Sequence, residues 1–335
     1  MQKEWSNSSS RNMQTPPRKF EGKHTLLCRT PMQIPPSPML EKLGYGTGVQ
    51  VFKINRKTSG AEVLKSPWAI KRLNKFSAPN PNIVTRLEKE AEILRRLNHP
   101  NIVGFRGTQK QDDGRLCLVM EEGGISLSQL IEKRSDDQLG PFPSHMIYRV
   151  AIDIARALNY LHKEHHIVHG DLKSHNILIK GKFDVAKLCD FGTSVPIGEN
   201  GILNGSYTCT EPYSPPEVHA VEMSLPGPPI TAKADIFSYG LVLWEMIALG
   251  VPHMQLSFND ENDESFNEES FLEKIGTRPD LPDEELNPSY EAILGIFYSC
   301  TEQDPDKRPT AQQLVDILEA TPPGQMQSTE GTTKV

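Results

Sequence analysis

Cysteine is scarce in this 335-residue chain: Cys28, Cys117, Cys189, Cys209 and Cys300 are widely spaced and odd in number. No Cys-x-x-Cys pair occurs, so neither a disulfide framework nor a zinc knuckle fits, and a reducing, intracellular setting is expected. Long hydrophobic runs are missing as well. The most apolar stretch, Ile236 to Val251, is short for a membrane span and holds Glu245 and two glycines, which marks it as a buried core helix. Behind the N-terminal charges come Ser, Asn, Gln and Pro rather than an apolar segment, so no secretory signal is read there. Basic residues are outnumbered, 36 Lys and Arg against 43 Asp and Glu, for a net charge of −7. An acidic body offers no positive footprint for nucleic acid or for an anionic membrane, and neither partner is expected. With 37% hydrophobic and 24% charged residues, the composition is that of a soluble globular protein.

What is present divides the chain into three parts. Residues 1–38 read as a disordered, basic, Pro-rich tail, in which Lys3, Arg11, Arg18, Lys19, Lys23 and Arg29 face only Glu4 and Glu21. It carries three proline-directed sites, Thr15-Pro16-Pro17-Arg18, Thr30-Pro31 and Ser37-Pro38. Residues 39–320 read as the folded body. Its first part, to about residue 121, has short β-type runs at Val49 to Phe52 and Trp68 to Ile70, which predict a small antiparallel sheet. A helix from about Ile83 to Leu97 follows, stopping before His99-Pro100. The second part, about residues 126–320, is helix-rich. Ser144 is expected to cap a helix with Ile147, Val150, Ile154, Leu158 and Leu161 at helical spacing. Ala232 to Ala248, Tyr290 to Cys300 and Ala311 to Ala320 read as further helices, and two short β runs, Ile177 to Ile179 and Ala186 to Leu188, flank Gly181. An insert at about 258–270, with six acids and no Lys or Arg, reads as a solvated loop, and residues 321–335 as a flexible tail.

The chemistry is legible in a few places. In the first helix Ile83, Leu87, Leu94 and Leu97 share a face, and Glu90 falls in the middle of it. A carboxylate aimed inward requires a cation opposite it. Lys71, in the strand-like Trp68-Ala69-Ile70-Lys71, is the natural mate. Upstream, Leu43-Gly44-Tyr45-Gly46-Thr47-Gly48-Val49-Gln50-Val51 sits between two β runs, where glycines let a backbone approach phosphate oxygens. Alone, such a hairpin is more often just a turn. Downstream come Val168-His169-Gly170-Asp171-Leu172-Lys173-Ser174-His175-Asn176 and then Asp190-Phe191-Gly192.

This ordered series resembles the eukaryotic protein-kinase family over roughly residues 40–320. The resemblance implies an α+β, bilobal kinase fold, with a small β-rich N-lobe carrying one regulatory helix and a larger helical C-lobe. It implies ATP and Mg²⁺ as cofactors. By the same resemblance, residues Leu43 to Val51 cover the phosphates, Lys71 holds the α and β phosphates and pairs with Glu90, and Asp171 orients the acceptor hydroxyl and takes its proton. Lys173 neutralises the transferring phosphoryl, and Asn176 and Asp190 hold the metal. Met120 becomes the gatekeeper, and Glu121 to Gly123 the hinge that meets adenine through its backbone. Thr210 to Glu217 resembles the end of an activation segment, with Glu217 expected to pair with Arg308, and Asp235 matches a buried aspartate of a central helix. Lys173 with Thr210 favours serine/threonine specificity. Within the family the chain is similar to a branch that resembles MAP kinase kinases, which brings dual specificity as a variant and implies mitotic and stress-activated MAP kinase signalling. The setting it implies is cytoplasmic, with nuclear or spindle association in mitosis.

Two departures stand out. The family's third loop glycine would fall at Val49, while Gly48 comes one position early. Gly170 replaces the arginine that usually receives an activation-loop phosphate, so control is expected elsewhere. Those departures keep a pseudokinase scaffold, binding partners through the acidic insert and C-terminus, as the competing reading. Thr15 fits an upstream kinase of the cyclin-dependent type, and Thr333-Lys334-Val335 fits the Ser/Thr-x-Val pattern that adds as a strand to a PDZ domain. His162, His165, His166 and His169 are accounted for by a helix end and the loop after it rather than by a metal, and Cys189 is expected to be an inert packed thiol.

Overall fold

The computed structural model describes residues 40–46, 48–58, 61–74, 80–110, 114–254, 268–283 and 285–321. Thr15, Thr30, Ser37, Thr47 and Thr333 to Val335 lie outside these residues, as does most of the acidic insert.

The first lobe is a sheet with one helix against it. Strands β1 (Glu41–Gly46), β2 (Val49–Thr58), β3 (Ala61–Leu73), β4 (Phe105–Lys110) and β5 (Leu116–Glu121) form an antiparallel sheet in the order β1-β2-β3-β5-β4. Helix α1 (Pro81–Arg96) starts two residues before the expected Ile83. Asn80 caps it, its side chain accepting from the Asn82 amide at 3.0 Å, and Pro81 takes a first-turn position that needs no amide hydrogen. Leu87, Glu90, Ala91 and Leu94 are its buried face.

The second lobe opens with β6 (Ile125–Ser126) and α2 (Leu127–Asp136), which starts on a capping box between Ser126 and Gln129. Helix α3 (Ser144–Glu164) has Pro143 at its cap position, so Ser144 is not the cap. Its hydroxyl instead donates to Ser289 Oγ at 2.9 Å, since Ser144 already lies inside the first turn. Strands β7 (Ile167–Val168) and β10 (Val195–Pro196) pair with each other, and β8 (Ile177–Lys180) and β9 (Val185–Leu188) make a hairpin that β6 extends. Helices α4 (Pro216–Glu222), α5 (Lys233–Ala248), α6 (Glu268–Lys274), α7 (Glu291–Cys300) and α8 (Ala311–Ala320) complete the lobe. Glu268 to Ser270, read as the end of an acidic loop, instead form the first turn of α6; acids suit a helix N-terminus, and the burial of Phe271 anchors it.

From Ala234 to Ile247 every residue of α5 is buried. This is the apolar stretch singled out in the sequence, and among the described residues no helix is long and apolar enough to cross a membrane. One hydrophobic core runs from Ala69 and Leu94 in the first lobe through Ile102 and Leu188 to Leu158 and Leu243 in the second.

Candidate active site

Directly paired residues of neighbouring strands project from the same face of a sheet, and neighbours along a strand from opposite faces. Lys71 pairs with Val51 on β2 and Leu118 on β5, and Ala69 pairs with Met120, so these five side chains share one face. Lys71 Nζ lies 2.8 Å from Glu90 Oε2 and 2.9 Å from Asp190 Oδ1. Burial opposes the charge on Lys71, but Glu90 and Asp190 outweigh it and hold the ammonium above its ordinary range. Burial likewise opposes ionisation of Asp190, yet Lys71 keeps its carboxyl below the usual range. Asp190 has a left-handed backbone, φ 65°, an uncommon conformation for a non-glycine residue. Cys189, beside it, has its thiol pushed well up by burial and by the Asp190 charge, in keeping with an inert packed thiol.

The loop from Val168 to Asn176 hangs from α5. Asp235, fully buried, accepts from the His169 amide at 2.8 Å with Oδ2 and from the Gly170 amide at 3.1 Å with Oδ1. His162 Nε2 lies 2.8 Å from the same Oδ2, while His165 packs edge-on against Tyr160 and the His166 carbonyl accepts from the Ile197 amide. Gly170 has φ +84°, and a Cβ there would stand 2.8 Å from the Thr193 carbonyl oxygen. His169 Nε2 is 2.9 Å from the Cys189 carbonyl, which can only accept, so that nitrogen carries the proton.

Asp171 is saturated with donors. Its Oδ1 accepts from the Thr210 hydroxyl at 2.7 Å and the Thr210 amide at 3.2 Å; its Oδ2 lies 2.8 Å from Lys173 Nζ and 3.1 Å from Asn176 Nδ2. Lys173 also donates to the Thr210 hydroxyl at 2.5 Å. Thus Lys71, Glu90 and Asp190 form one polar cluster and Asp171, Lys173, Asn176 and Thr210 another. The Cys189 amide donates to the Asn176 backbone carbonyl at 2.9 Å, so the two clusters are joined through main chain.

Beyond Gly192 the chain is held by backbone bonds. The Ile197 amide donates to the His166 carbonyl (2.7 Å), Gly198 to Ile202 (2.8 Å), Asn204 to Pro196 (2.9 Å) and Leu203 to Ile230 (3.0 Å). Ser206 and Thr208 are exposed. Glu217 and Arg308 meet as expected, in a bidentate, fully buried pair at 2.7 and 2.8 Å.

Other contacts were not signalled by the sequence. Glu245 Oε1 accepts from Ser174 Oγ at 2.8 Å and from Tyr213 Oη at 2.7 Å, while its Oε2 is buried without a hydrogen-bond partner. Glu121 turns its side chain to Gly104, Arg106, Lys180 and Lys187. An acid inside the apolar stretch of α5 was the single visible clue to the first; nothing local marked the second.

The protein-kinase domain pattern matches residues 38–317. Lymphokine-activated killer T-cell-originated protein kinase of Homo sapiens is 44% identical over 322 residues, covering 92% of this chain and 98% of its own length. The chain is a protein kinase. Serine/threonine-protein kinase STY17 of Arabidopsis thaliana is 28% identical over 71% of the kinase, and probable serine/threonine-protein kinase drkC of Dictyostelium discoideum 31% identical over 78%. The kinase spans 38% and 33% of those two longer proteins. These matches put it among the protein serine/threonine kinases, and use of ATP with a divalent metal follows from the domain. The α+β, two-lobed architecture expected from the sequence is the one observed.

Proposed function

We propose that this kinase moves the γ-phosphoryl of MgATP to serine and threonine hydroxyls of protein substrates. The observation that carries the reading is the pair of donor-saturated clusters, Lys71 between Glu90 and Asp190 and Asp171 among Lys173, Asn176 and Thr210. A scaffold without catalysis needs neither. The donor set suits the metal: the Asp190 side chain is 44% exposed, and Asn176 aims its amide nitrogen at the Asp171 carbonyl (2.7 Å), turning its oxygen the other way. Asp190 and Asn176 would hold Mg²⁺, a hard cation suited to a carboxylate and an amide oxygen. When bound, Mg²⁺ supplies charge neutralisation on the phosphate oxygens.

The chain's own residues do the rest. Lys71, fixed by Glu90, holds the α and β phosphates beneath the Leu43 to Val51 hairpin. Met120, on the Lys71 face of the sheet, borders the base, and the backbone from Glu121 to Gly123 meets adenine. Asp171 orients the acceptor hydroxyl and takes its proton, and Lys173 balances charge on the phosphoryl in flight. Thr210, bonded to both, shapes the acceptor side for a short hydroxyl side chain, which supports serine/threonine over tyrosine. D171A should lower kcat by roughly 10²–10⁴-fold with ATP binding largely spared. Transfer of labelled phosphate from ATP to a basic test protein, followed by phosphoamino-acid analysis, checks both points. Near wild-type turnover in D171A, or label on tyrosine alone, would overturn the reading.

The resemblance to MAP kinase kinases supports a role in mitotic and stress-activated MAP kinase signalling, in the cytoplasm and, in mitosis, at the nucleus or spindle. Thr15-Pro16-Pro17-Arg18 supports activation by a cyclin-dependent kinase, and Thr333-Lys334-Val335 supports a PDZ-domain partner. Thr15→Ala and removal of Val335 test these two separately.

A further inference from the structure

Glu121 pairs with Trp68 across β3 and β5, so its side chain leaves the sheet on the face opposite Lys71 and Met120. It points away from the nucleotide side, into a cluster of cations. Its Oε2 lies 3.3 Å from Lys187 Nζ, 3.3 Å from the Gly104 amide and 3.8 Å from Arg106; its Oε1 lies 3.3 Å from Lys180 Nζ. The Glu121 amide also donates to the Gly104 carbonyl at 2.7 Å. Gly104 and Arg106 belong to the N-lobe, Lys180 and Lys187 to the β8–β9 hairpin of the C-lobe.

We infer that Glu121 is a positioning residue of the nucleotide site: its carboxylate, gripped from both lobes, fixes the hinge peptide that meets adenine and sets how readily the lobes part. The inference rests on the proposed hinge contact with adenine. Three observations carry it. Lys187 is 8% exposed, and Glu121 is its one ion-pair partner among the described residues, so this charge was buried for a carboxylate at this place. Position 104 has no side chain, and a Cβ there would stand 2.9 Å from an Arg106 nitrogen and 3.2 Å from Glu121 Oε2, so the cluster occupies the space a side chain would take. Finally, the same side of the molecule already joins the lobes by main chain, where the Val103 amide donates to the Leu188 carbonyl (3.0 Å) and the Leu188 amide to the Asn101 carbonyl (2.8 Å). The Asn101 side chain adds a bond to the Ala186 carbonyl at 3.1 Å, and the Glu121 cluster extends that seam to the hinge with ion pairs. In support, burial opposes ionisation of Glu121, yet Lys187 and Lys180 outweigh it and hold the carboxyl below its usual range.

The exposed contacts contribute least, since the Lys180 side chain is 46% exposed and solvent screens it. The Lys187 contact should dominate. The test measures dissociation of a fluorescent ADP, together with KM for ATP and kcat, for the full chain and for E121Q, K187M and the double variant. Each single variant should dissociate ADP about fivefold faster and raise KM for ATP about fivefold, with kcat within about twofold, and the double variant should be no worse than either. If E121Q or K187M fails to fold, the surface variants K180A and R106A carry the test, with an expected change of about twofold in the same two quantities. Unchanged dissociation and KM in the folded variants, or a loss confined to kcat, would overturn the inference. Failure of the wild-type chain to bind the fluorescent ADP would overturn the nucleotide reading itself.

Discussion

Glu245 is a carboxylate in the deepest helix whose neighbours are two hydroxyls rather than a cation. Burial pushes its carboxyl up from the usual range to about 7, despite the bonds from Tyr213 and Ser174. Below the ordinary glutamate range both the folded and unfolded states are protonated. As pH rises from there to about 7, the unfolded chain ionises first, so the folded state binds more protons and stability falls. Above that window the full cost, on the order of 3 kcal/mol, is in force. E245Q keeps an acceptor for both hydroxyls and removes the ionisation. Its Tm relative to wild type should therefore rise by several degrees between pH 5 and pH 8, and a flat difference in thermal unfolding would refute the account. At this scale Lys71 and Glu90 were legible in the sequence because an acid in the middle of an apolar helix face demands a cation. The Glu121 side chain was not, because its partners come from three separate stretches of chain and none is marked by periodicity.

Among the elements, the segment after Gly192 is the one that the Gly170 position bears on. Gly170 leaves it without an arginine to clasp a phosphate, and the bonds from Ile197, Gly198, Leu203 and Asn204 hold it through main chain instead. An arrangement that does not depend on a phosphate should not need one. S206A and T208A should each retain at least about half of wild-type activity on a protein substrate. Loss of more than tenfold in either would show that a phosphate matters after all. The helices were readable, because α7 and α8 bury apolar residues at a regular spacing that survives in the sequence, while α5, buried on all sides, shows as one apolar stretch. Strand β4 was not: Phe-Arg-Gly-Thr-Gln-Lys alternates half-buried and exposed positions with hardly an apolar residue to show it. The start of α3 misled because a serine before an apolar helix reads as a cap, whereas Pro143 holds the cap position and makes no side-chain cap bond.

At the scale of the whole molecule, catalysis and recruitment are assigned to different stretches of the chain, which makes them separable by experiment. If the proposed mitotic activation acts through the tail, Thr15→Ala should abolish it while sparing the basal activity of the purified protein. Removal of Val335 should abolish binding to a panel of PDZ domains, of micromolar affinity or about −8 kcal/mol, with transfer intact. Mitotic activation that survives in Thr15→Ala, or equal binding by full-length and truncated chains, would reverse these assignments. Within the folded body the two lobes share a core, and the loop bearing Asp171 is tied by its two leading amides to Asp235 of α5. Segments that face a substrate are ordinarily among the first to open when a protein breathes. This one is held by two amides on a fully buried carboxylate of α5, so it should open with that helix rather than before it. On slow heating, then, activity should outlast every local fluctuation and vanish together with the fold, so that the chemistry keeps the lifetime of the core although it is carried by a loop.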